Sequence, residues 1–178
     1  MNLVFLGRDG VINELANGPV LTPEAWRPLP GSLRAIARLT HAHYRVVVAS
    51  NQPALASGEL DVGTLNRIHE KMHREVAAEG GRIEAIIYCP HGPGDGCNCR
   101  KPAPGMFREI CQRLHLDPHG IPVIGDSQAD MDAAGAIGAR AMLVRSGRGR
   151  VVEARLDAGQ PVEVHDDLAA AVDALLEN

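Results

Sequence analysis

Residues 3–13 read LVFLGRDGVIN, and this stretch decides how the rest of the chain is interpreted. An apolar run from Leu3 to Leu6 stops at Gly-Arg-Asp-Gly, which is typical of a buried strand that ends in a polar loop. In an open parallel sheet such a loop lies at the carboxyl edge, where ligands bind. The unexpected residue in this stretch is Gly7. It occupies the first loop position, where a reactive side chain is expected, and glycine has no side chain.

Length and composition limit the possible classes of protein. The 178-residue chain is long enough for one buried core and too short for two ordinary domains, so we predict a single domain over residues 1–178. We expect no transmembrane helix and no signal peptide, and therefore a cytoplasmic protein. A net charge of −4 and only 3% aromatic residues argue against nucleic-acid and membrane partners. We expect a monomer.

Apolar runs alternate with amphipathic stretches along the chain. Strands are predicted at 3–6, 45–50, 83–89, 121–126 and 141–144, and helices at 31–42, 61–80, 105–115, 128–137 and 167–178. This order predicts an α/β fold with a doubly wound, mostly parallel sheet and helices on both faces. No second core is encoded, so we expect no separate cap domain.

The residues that follow the predicted strands are carboxylates, amides, hydroxyls and cations. They are Gly7, Arg8, Asp9 and Gly10, then Ser50, Asn51 and Gln52, then Arg100 and Lys101, and finally Gly125, Asp126, Ser127 and Asp130. The carboxylates are suitable ligands for Mg²⁺, and Lys101 and the Ser50 hydroxyl are suitable partners for a phosphate. The alternative is that the aspartates serve only as turn and N-cap residues. Their joint placement favours a phosphate site.

A loop rich in Gly and Pro, residues 89–99, concentrates cysteine and histidine. Three thiols and one imidazole are the ligand set of a closed, structural Zn²⁺ site, and the candidate ligands are Cys89, His91, Cys97 and Cys99. The alternative is a set of incidental buried thiols. The loop leads directly to Arg100 and Lys101, so a zinc ion would aim these two side chains into the pocket. Cys111 lies among apolar residues and is predicted to be an inert core thiol.

Two further patterns have competing interpretations. HEKMH at residues 69–73 fits the helical zinc-protease signature. The surrounding charges favour instead the solvated face of an amphipathic helix. RSGRGR at residues 145–150 is basic and Gly-rich, and it is interpreted either as a turn that carries a substrate-facing cation or as a solvated loop.

Four segments, FLGRDGVIN, VVVASNQ, CRKP and IGDSQADMDAA, resemble the four motifs of haloacid dehalogenase (HAD)-type phosphatases, in order. With CPHGPGDGCNC added, the chain is similar to the D-glycero-D-manno-heptose 1,7-bisphosphate 7-phosphatase branch, which also includes histidinol-phosphate phosphatases. The resemblance covers about residues 3–147. It implies a HAD-like Rossmannoid fold and a Mg²⁺-dependent phosphoric monoester hydrolase with a structural zinc loop. The substrate it implies is a phosphorylated seven-carbon sugar on the way to the lipopolysaccharide core or to an S-layer glycan, and the alternative substrate is histidinol phosphate.

The resemblance also implies roles for individual residues. Asp9 corresponds to the general acid and base, and its main-chain carbonyl to a Mg²⁺ ligand. Asp126 corresponds to the metal-binding carboxylate of the fourth motif, and Lys101 to the lysine of the third. The residues implied in substrate binding are Ser50, Asn51, Gln52 and Arg100.

Gly7 departs from the family pattern, in which the first strand ends in D-x-D and the first Asp attacks phosphorus and ligates Mg²⁺. Pro53 and Ser57 also stand where this branch commonly has Ser and Arg. Three interpretations remain: a phosphatase whose nucleophile was removed, a pseudo-enzyme that binds a phosphorylated ligand, and weak turnover through water. The other motifs are retained, which favours the first. We therefore predict that catalysis is abolished or severely impaired.

Overall fold

The stretch around Leu3–Leu6 forms the central strand of a parallel sheet. A computed structural model describes residues 2–15, 18–157 and 159–177. Within these residues six strands pair in the order β3-β2-β1-β4-β5-β6, every pair parallel. Their bounds are β1 (Asn2–Leu6), β2 (Tyr44–Asn51), β3 (Ala85–Cys89), β4 (Pro122–Gly125), β5 (Arg140–Val144) and β6 (Val162–His165).

Helices cover both faces of this sheet. They are α1 (Ser32–His41), α2 (Pro53–Ser57), α3 (Val62–Ala78), α4 (Gly105–Leu114), α5 (Gln128–Gly135), α6 (Gly149–Glu153) and α7 (Leu168–Leu176). Apolar residues of α1, α3 and α7 form one core with one face of the strands, and those of α4 and α5 form a second core on the other face. The predicted α/β class with a doubly wound parallel sheet is therefore confirmed.

The order of the strands fixes where a ligand would bind. From β1 the chain moves outward through β2 and β3, and it then returns to β4 on the other side of β1. The carboxyl ends of β1 and β4 therefore flank the point at which the winding reverses, which is where open α/β sheets form a crevice.

The five predicted strands and five predicted helices are present, with small shifts at their ends. The sequence did not predict α2, α6 or β6, which are each four or five residues long. All four residues of β6 are only partly buried, so its hydrophobic pattern is weak. Asn178, predicted as the end of the last helix, lies outside the described residues. Among the described helices, none combines the length and the apolarity needed to cross a bilayer.

Candidate functional site

A small cleft lies at the carboxyl ends of β1, β2 and β4. Its volume is about 50 Å³, and its lining is almost entirely polar: Gly7, Arg8, Asp9, Ser50, Asn51, Lys101, Asp126, Ser127, Asp130 and Arg148. Pockets for drug-sized ligands are several times larger and mostly apolar. The cleft therefore fits a small charged group, and the rest of a larger ligand would lie outside it.

Gly7 lines this cleft at the end of β1. Its N–H donates to the carbonyl oxygen of Ile124 over 2.9 Å, which continues the pairing between β1 and β4. A Cβ built on Gly7 would lie 3.0 Å from Cγ2 of Val11, and Gly7 is not among the residues with positive φ. The backbone conformation does not require a glycine here, and a Cβ would need the Val11 methyl to shift by a few tenths of an ångström.

The carboxylate of Asp9 is held by two neighbouring side chains. Arg8 donates to it from Nε and Nη2 over 2.9 and 3.1 Å, and Asn13 donates from Nδ2 over 2.9 Å. The Arg8 side chain is completely buried, whereas that of Asp9 is 16% exposed and reaches the cleft. Charge-assisted hydrogen bonds of this kind fix both the position and the orientation of a carboxylate.

The three residues after β2 have different neighbours. Nε2 of Gln52 donates to Oγ of Ser50 over 2.7 Å. The side-chain amide of Asn51 instead makes two 3.0 Å hydrogen bonds to the main chain of Lys101, one to its carbonyl oxygen and one from its N–H. Of these three predicted ligand-binding residues, Ser50 and Asn51 line the cleft, while Gln52 is buried behind Ser50.

Lys101 and Asp130 form a buried ion pair. Nζ of Lys101 lies 2.6 Å from Oδ1 of Asp130 and 2.7 Å from the carbonyl oxygen of Ala49. Burial acts to raise the pKa of Asp130, but the charge and hydrogen bond of Lys101, together with hydrogen bonds from Ser127, hold it below its usual value. Ser127 caps α5, and Asp130 completes the capping box.

Asp126 is the carboxylate in the cleft that has no buried cation beside it. It is 2% exposed, and its Oδ2 accepts from the N–H of Arg148 over 3.0 Å, whereas Nε of Arg148 lies 3.4 Å away on a side chain that is 61% exposed. Burial, and then the charge of Asp130, raise the pKa of Asp126. Gly10 and Gly147 approach so closely that a Cβ on either would overlap the Asp126 carboxylate.

These contacts fit a divalent cation at Asp126. Asp9 is neutralised by Arg8 and Asp130 by Lys101, whereas the charge on buried Asp126 is balanced only by an exposed arginine. A hard cation with oxygen ligands would remove this imbalance, and Mg²⁺ commonly binds through one or two carboxylates together with phosphate oxygens.

Beside the cleft, the four predicted zinc ligands come together. The ligand atoms of Cys89, His91, Cys97 and Cys99 all lie within 4.8 Å of one another. Sγ of Cys89 is 3.2 and 3.7 Å from the sulfurs of Cys99 and Cys97, and Nδ1 of His91 is 3.3 Å from Sγ of Cys99. Three sulfurs and one ring nitrogen at these separations fit a tetrahedral Zn²⁺.

The sequence predicts that the side chains of Arg100 and Lys101 both point into the cleft, and only one of them does. Lys101 points into the cleft, whereas Nη1 of Arg100 donates to the carbonyl oxygen of His91 over 3.3 Å and stays with the zinc loop. The N–H of Arg100 also donates to Sγ of Cys97. Cys111 is buried in the core formed with α4 and α5, as the sequence indicated.

The interpretation of HEKMH as part of a solvated face is wrong for its first residue. His69 is only 7% exposed, and its Nε2 lies 3.1 Å from Nη1 of Arg8. His73 is exposed. Asn13, His69 and Arg148 were not named as site residues from the sequence, although Asn13 lies four residues after Asp9 and Arg148 lies within the RSGRGR turn.

Comparisons with known proteins show what this chain is similar to. A family model described as HAD-hydrolase-like matches residues 98–171. D-glycero-beta-D-manno-heptose-1,7-bisphosphate 7-phosphatase from Bordetella bronchiseptica is 49% identical over 99% of both chains. The enzyme of the same name from Pseudomonas putida is 43% identical over 99% of this chain and 100% of its own.

Solved structures show the same similarity. The crystal structure of D,D-heptose 1,7-bisphosphate phosphatase from B. bronchiseptica, complexed with magnesium and phosphate, matches with a TM-score of 0.97 over 99% of both chains. The phosphatase of that name from Burkholderia thailandensis has a TM-score of 0.79 at 42% identity over the full length of both chains.

Proposed function

Because the chain belongs to the D-glycero-D-manno-heptose-1,7-bisphosphate 7-phosphatase family of HAD-like phosphoric monoester hydrolases, we propose that its cleft binds the 7-phosphate of that sugar and that Gly7 severely impairs hydrolysis. The observation that carries the proposal is the cleft itself. A phosphate-sized space is bordered by Lys101, the Ser50 hydroxyl and the carboxylate of Asp126.

The charges of the cleft support binding of a phosphate together with Mg²⁺. The carboxylate of Asp126 and the main-chain carbonyl of Asp9 would hold the metal, which would supply positive charge against the phosphate oxygens. The relative of known structure from B. bronchiseptica binds magnesium and phosphate. Ser50 donates its hydroxyl hydrogen to the phosphate, and Lys101 provides a cation already fixed by Asp130.

Gly7 determines what the bound ester undergoes. Asp9 is held where it can protonate a leaving sugar oxygen, but glycine has no carboxylate to attack phosphorus. Loss of one member of a cooperating catalytic set lowers turnover by factors on the order of 10⁴ to 10⁶. Gly7 removes one carboxylate ligand that the family pattern gives to Mg²⁺, but it also removes a negative charge that would repel the phosphate dianion, so binding is retained or tightened. The chain is thus a phosphorylated-sugar binding protein with at most weak hydrolysis.

The test is to restore a carboxylate at position 7. In the presence of Mg²⁺, Gly7→Asp should release phosphate at least about 10⁴-fold faster than the unchanged chain. The substrate panel contains heptose 1,7-bisphosphate, histidinol phosphate and fructose 1,6-bisphosphate, and the heptose ester should be preferred. Gly7→Asn is the matched control, since it adds the same bulk without the nucleophile and should stay inactive.

Calorimetry with the same esters measures binding separately. The unchanged chain should bind heptose 1,7-bisphosphate at least as tightly as Gly7→Asp does. The proposal fails if Gly7→Asp hydrolyses no ester of the panel, if histidinol phosphate is preferred, or if the unchanged chain turns over as fast as Gly7→Asp.

A further inference from the structure

A buried guanidinium lies directly behind the cleft, and its hydrogen bonds connect the cleft to α3. All three guanidinium nitrogens of Arg8 have a partner within hydrogen-bond distance. Nε and Nη2 hold the carboxylate of Asp9, and Nη1 lies 3.1 Å from Nε2 of His69. The Arg8 side chain has no exposed surface, so each of these partners replaces water that a guanidinium would otherwise bind.

The contact with His69 defines the state of the imidazole. Arginine can only donate hydrogen bonds, so Nε2 of His69 is the acceptor and the ring proton resides on Nδ1. Burial, followed by the charges of Arg8 and His73, lowers the pKa of His69 to about 4, while Asp9 acts in the opposite direction. The imidazole is therefore neutral at pH 7. The ring of Tyr88, 6.2 Å away between centroids, borders it on the side of β3.

We propose that His69 is a positioning residue, which acts through Arg8 to hold the carboxylate of Asp9 toward the cleft. This inference rests on the proposed function, because it assigns His69 to the residue that protonates the leaving group. It also gives the HEKMH segment a role that involves no metal. Nδ1 of His69 carries the proton, Nε2 accepts from Arg8, and Arg8 donates to Asp9.

The burial of Arg8 explains why a hydrogen-bond acceptor is needed at position 69. Without one, Nη1 of Arg8 would be left unpaired in a buried site, which costs about 1–3 kcal/mol and more for a charged group. The guanidinium would rotate toward a new partner and take Asp9 with it. Asn13 still donates to Asp9, so the carboxylate would be loosened rather than released.

Kinetics of variants in the Gly7→Asp background provide the first test. His69→Leu removes the acceptor and should lower kcat by roughly 10- to 100-fold with little change in KM, as misplacement of a catalytic group does. His69→Gln retains an acceptor oxygen close to the position of Nε2 and should recover most of the loss. His73→Leu makes the same substitution one turn later at an exposed position and should leave kcat unchanged.

Nuclear magnetic resonance of the unchanged chain provides a second test that does not depend on activity. The ring nitrogens of His69 should show the tautomer protonated on Nδ1, and the Arg8 Nε–H should exchange slowly with water. This protection should be lost in His69→Leu and kept in His69→Gln.

The outcomes separate the two proposals. If Gly7→Asp is inactive on every ester, the proposed function fails, and the resonance measurements alone decide the role of His69. The inference is overturned if folded His69→Leu keeps its kcat, if His69→Gln is as damaging as His69→Leu, or if His69 is protonated on Nε2. Where His69→Leu does not fold, the comparison of His69→Gln with its parent and the tautomer of His69 decide the question.

Discussion

Ser50 shows how one buried side chain sets the chemistry of its neighbour. Its hydroxyl oxygen accepts a hydrogen bond from Nε2 of Gln52, so its own hydrogen is free to donate toward the cleft. Gln52 is 3% exposed and has no path to a ligand in the cleft. The sequence places Ser50 and Gln52 together in the second motif. Which of them faces the cleft and which supports the other depends on the directions of their side chains, and residue spacing does not encode these directions.

Replacing Gln52 should weaken phosphate binding without removing a group from the cleft. In Gln52→Leu the Ser50 hydroxyl is free to turn toward other acceptors, and the affinity for inorganic phosphate in the presence of Mg²⁺ should fall by about 2- to 10-fold, the value of one hydrogen bond. Calorimetry measures this change. Gln112→Leu, the same substitution at an exposed position of α4, is the control. Equal affinities for the two variants would contradict the assignment.

The neutral state of His69 makes the stability of the protein depend on pH. Its pKa is about 6.5 in an unfolded chain and about 4 in the fold, because burial, Arg8 and His73 disfavour the charged ring more than Asp9 favours it. Between these values the unfolded chain binds a proton that the folded chain does not. The free energy of unfolding therefore falls as the pH drops from about 6.5 to 4, by on the order of 3 kcal/mol in all.

Urea unfolding between pH 7 and 4.5 measures this dependence. Carboxyl groups, including Asp126 with its raised pKa, also titrate in this range, so the contribution of His69 is the difference between the parent and His69→Gln. The slope should be smaller in His69→Gln and unchanged in the control His119→Gln, which replaces an exposed histidine that has no part in the shift of His69. Identical slopes in all three proteins would show that His69 is not held neutral.

At the scale of elements, we expect the loop of residues 89–99 to depend on a bound zinc ion more than on its own packing. Residues 89–99 are rich in Gly and Pro and form no helix, and the loop continues directly into Arg100 and Lys101. Burial raises the pKa of the Cys89 thiol to about 12, whereas for Cys97 the N–H of Arg100 and the neighbouring thiols outweigh burial and lower the pKa to about 6. A cation among these sulfurs stabilises their ionised forms.

Metal analysis should find about one zinc per chain, and Cys97→Ser should lose it, because a structural site needs its full ligand set. Cys111→Ser changes a buried thiol outside the cluster and should keep the metal, and so should His73→Ala. Loss of zinc should also make the 89–99 loop susceptible to protease while α3 remains protected. Zinc that survives Cys97→Ser but is lost in His73→Ala would overturn the assignment of the ligands.

The helices and strands also show how much of the secondary structure the sequence pattern predicts. Periodic apolar residues predicted α1 and α3, and a β-branched run predicted β2, because burial of one stripe or of both faces leaves a strong pattern. The same periodicity would have placed His69 correctly. It lies four residues after Leu65 and three before Met72, on the buried stripe, although charged residues surround it in the sequence. The elements α2, α6 and β6 are too short for periodicity to detect.

At the scale of the whole molecule, one ion pair connects three distant segments. Lys101 follows the zinc loop, Asp130 belongs to α5, and Ala49 lies in β2, and all three meet at Nζ of Lys101. Asn51, which also lies in β2, makes two further hydrogen bonds to the main chain of Lys101. The third and fourth motifs are therefore held together before any ligand binds, which preorganises the cation for a phosphate.

Removing one partner of this pair should destabilise the entire fold. Asp130→Asn leaves the Lys101 ammonium buried without a counter-charge, and breaking a buried pair in this way costs about 3–5 kcal/mol. Urea unfolding at pH 7, followed by circular dichroism, measures the loss. Asp132→Asn makes the same change at an exposed position of α5 and should cost well under half as much. If the two variants are equally stable, the ion pair does not join the segments, and the position of Lys101 must be set by its hydrogen bonds to Ala49 and Asn51.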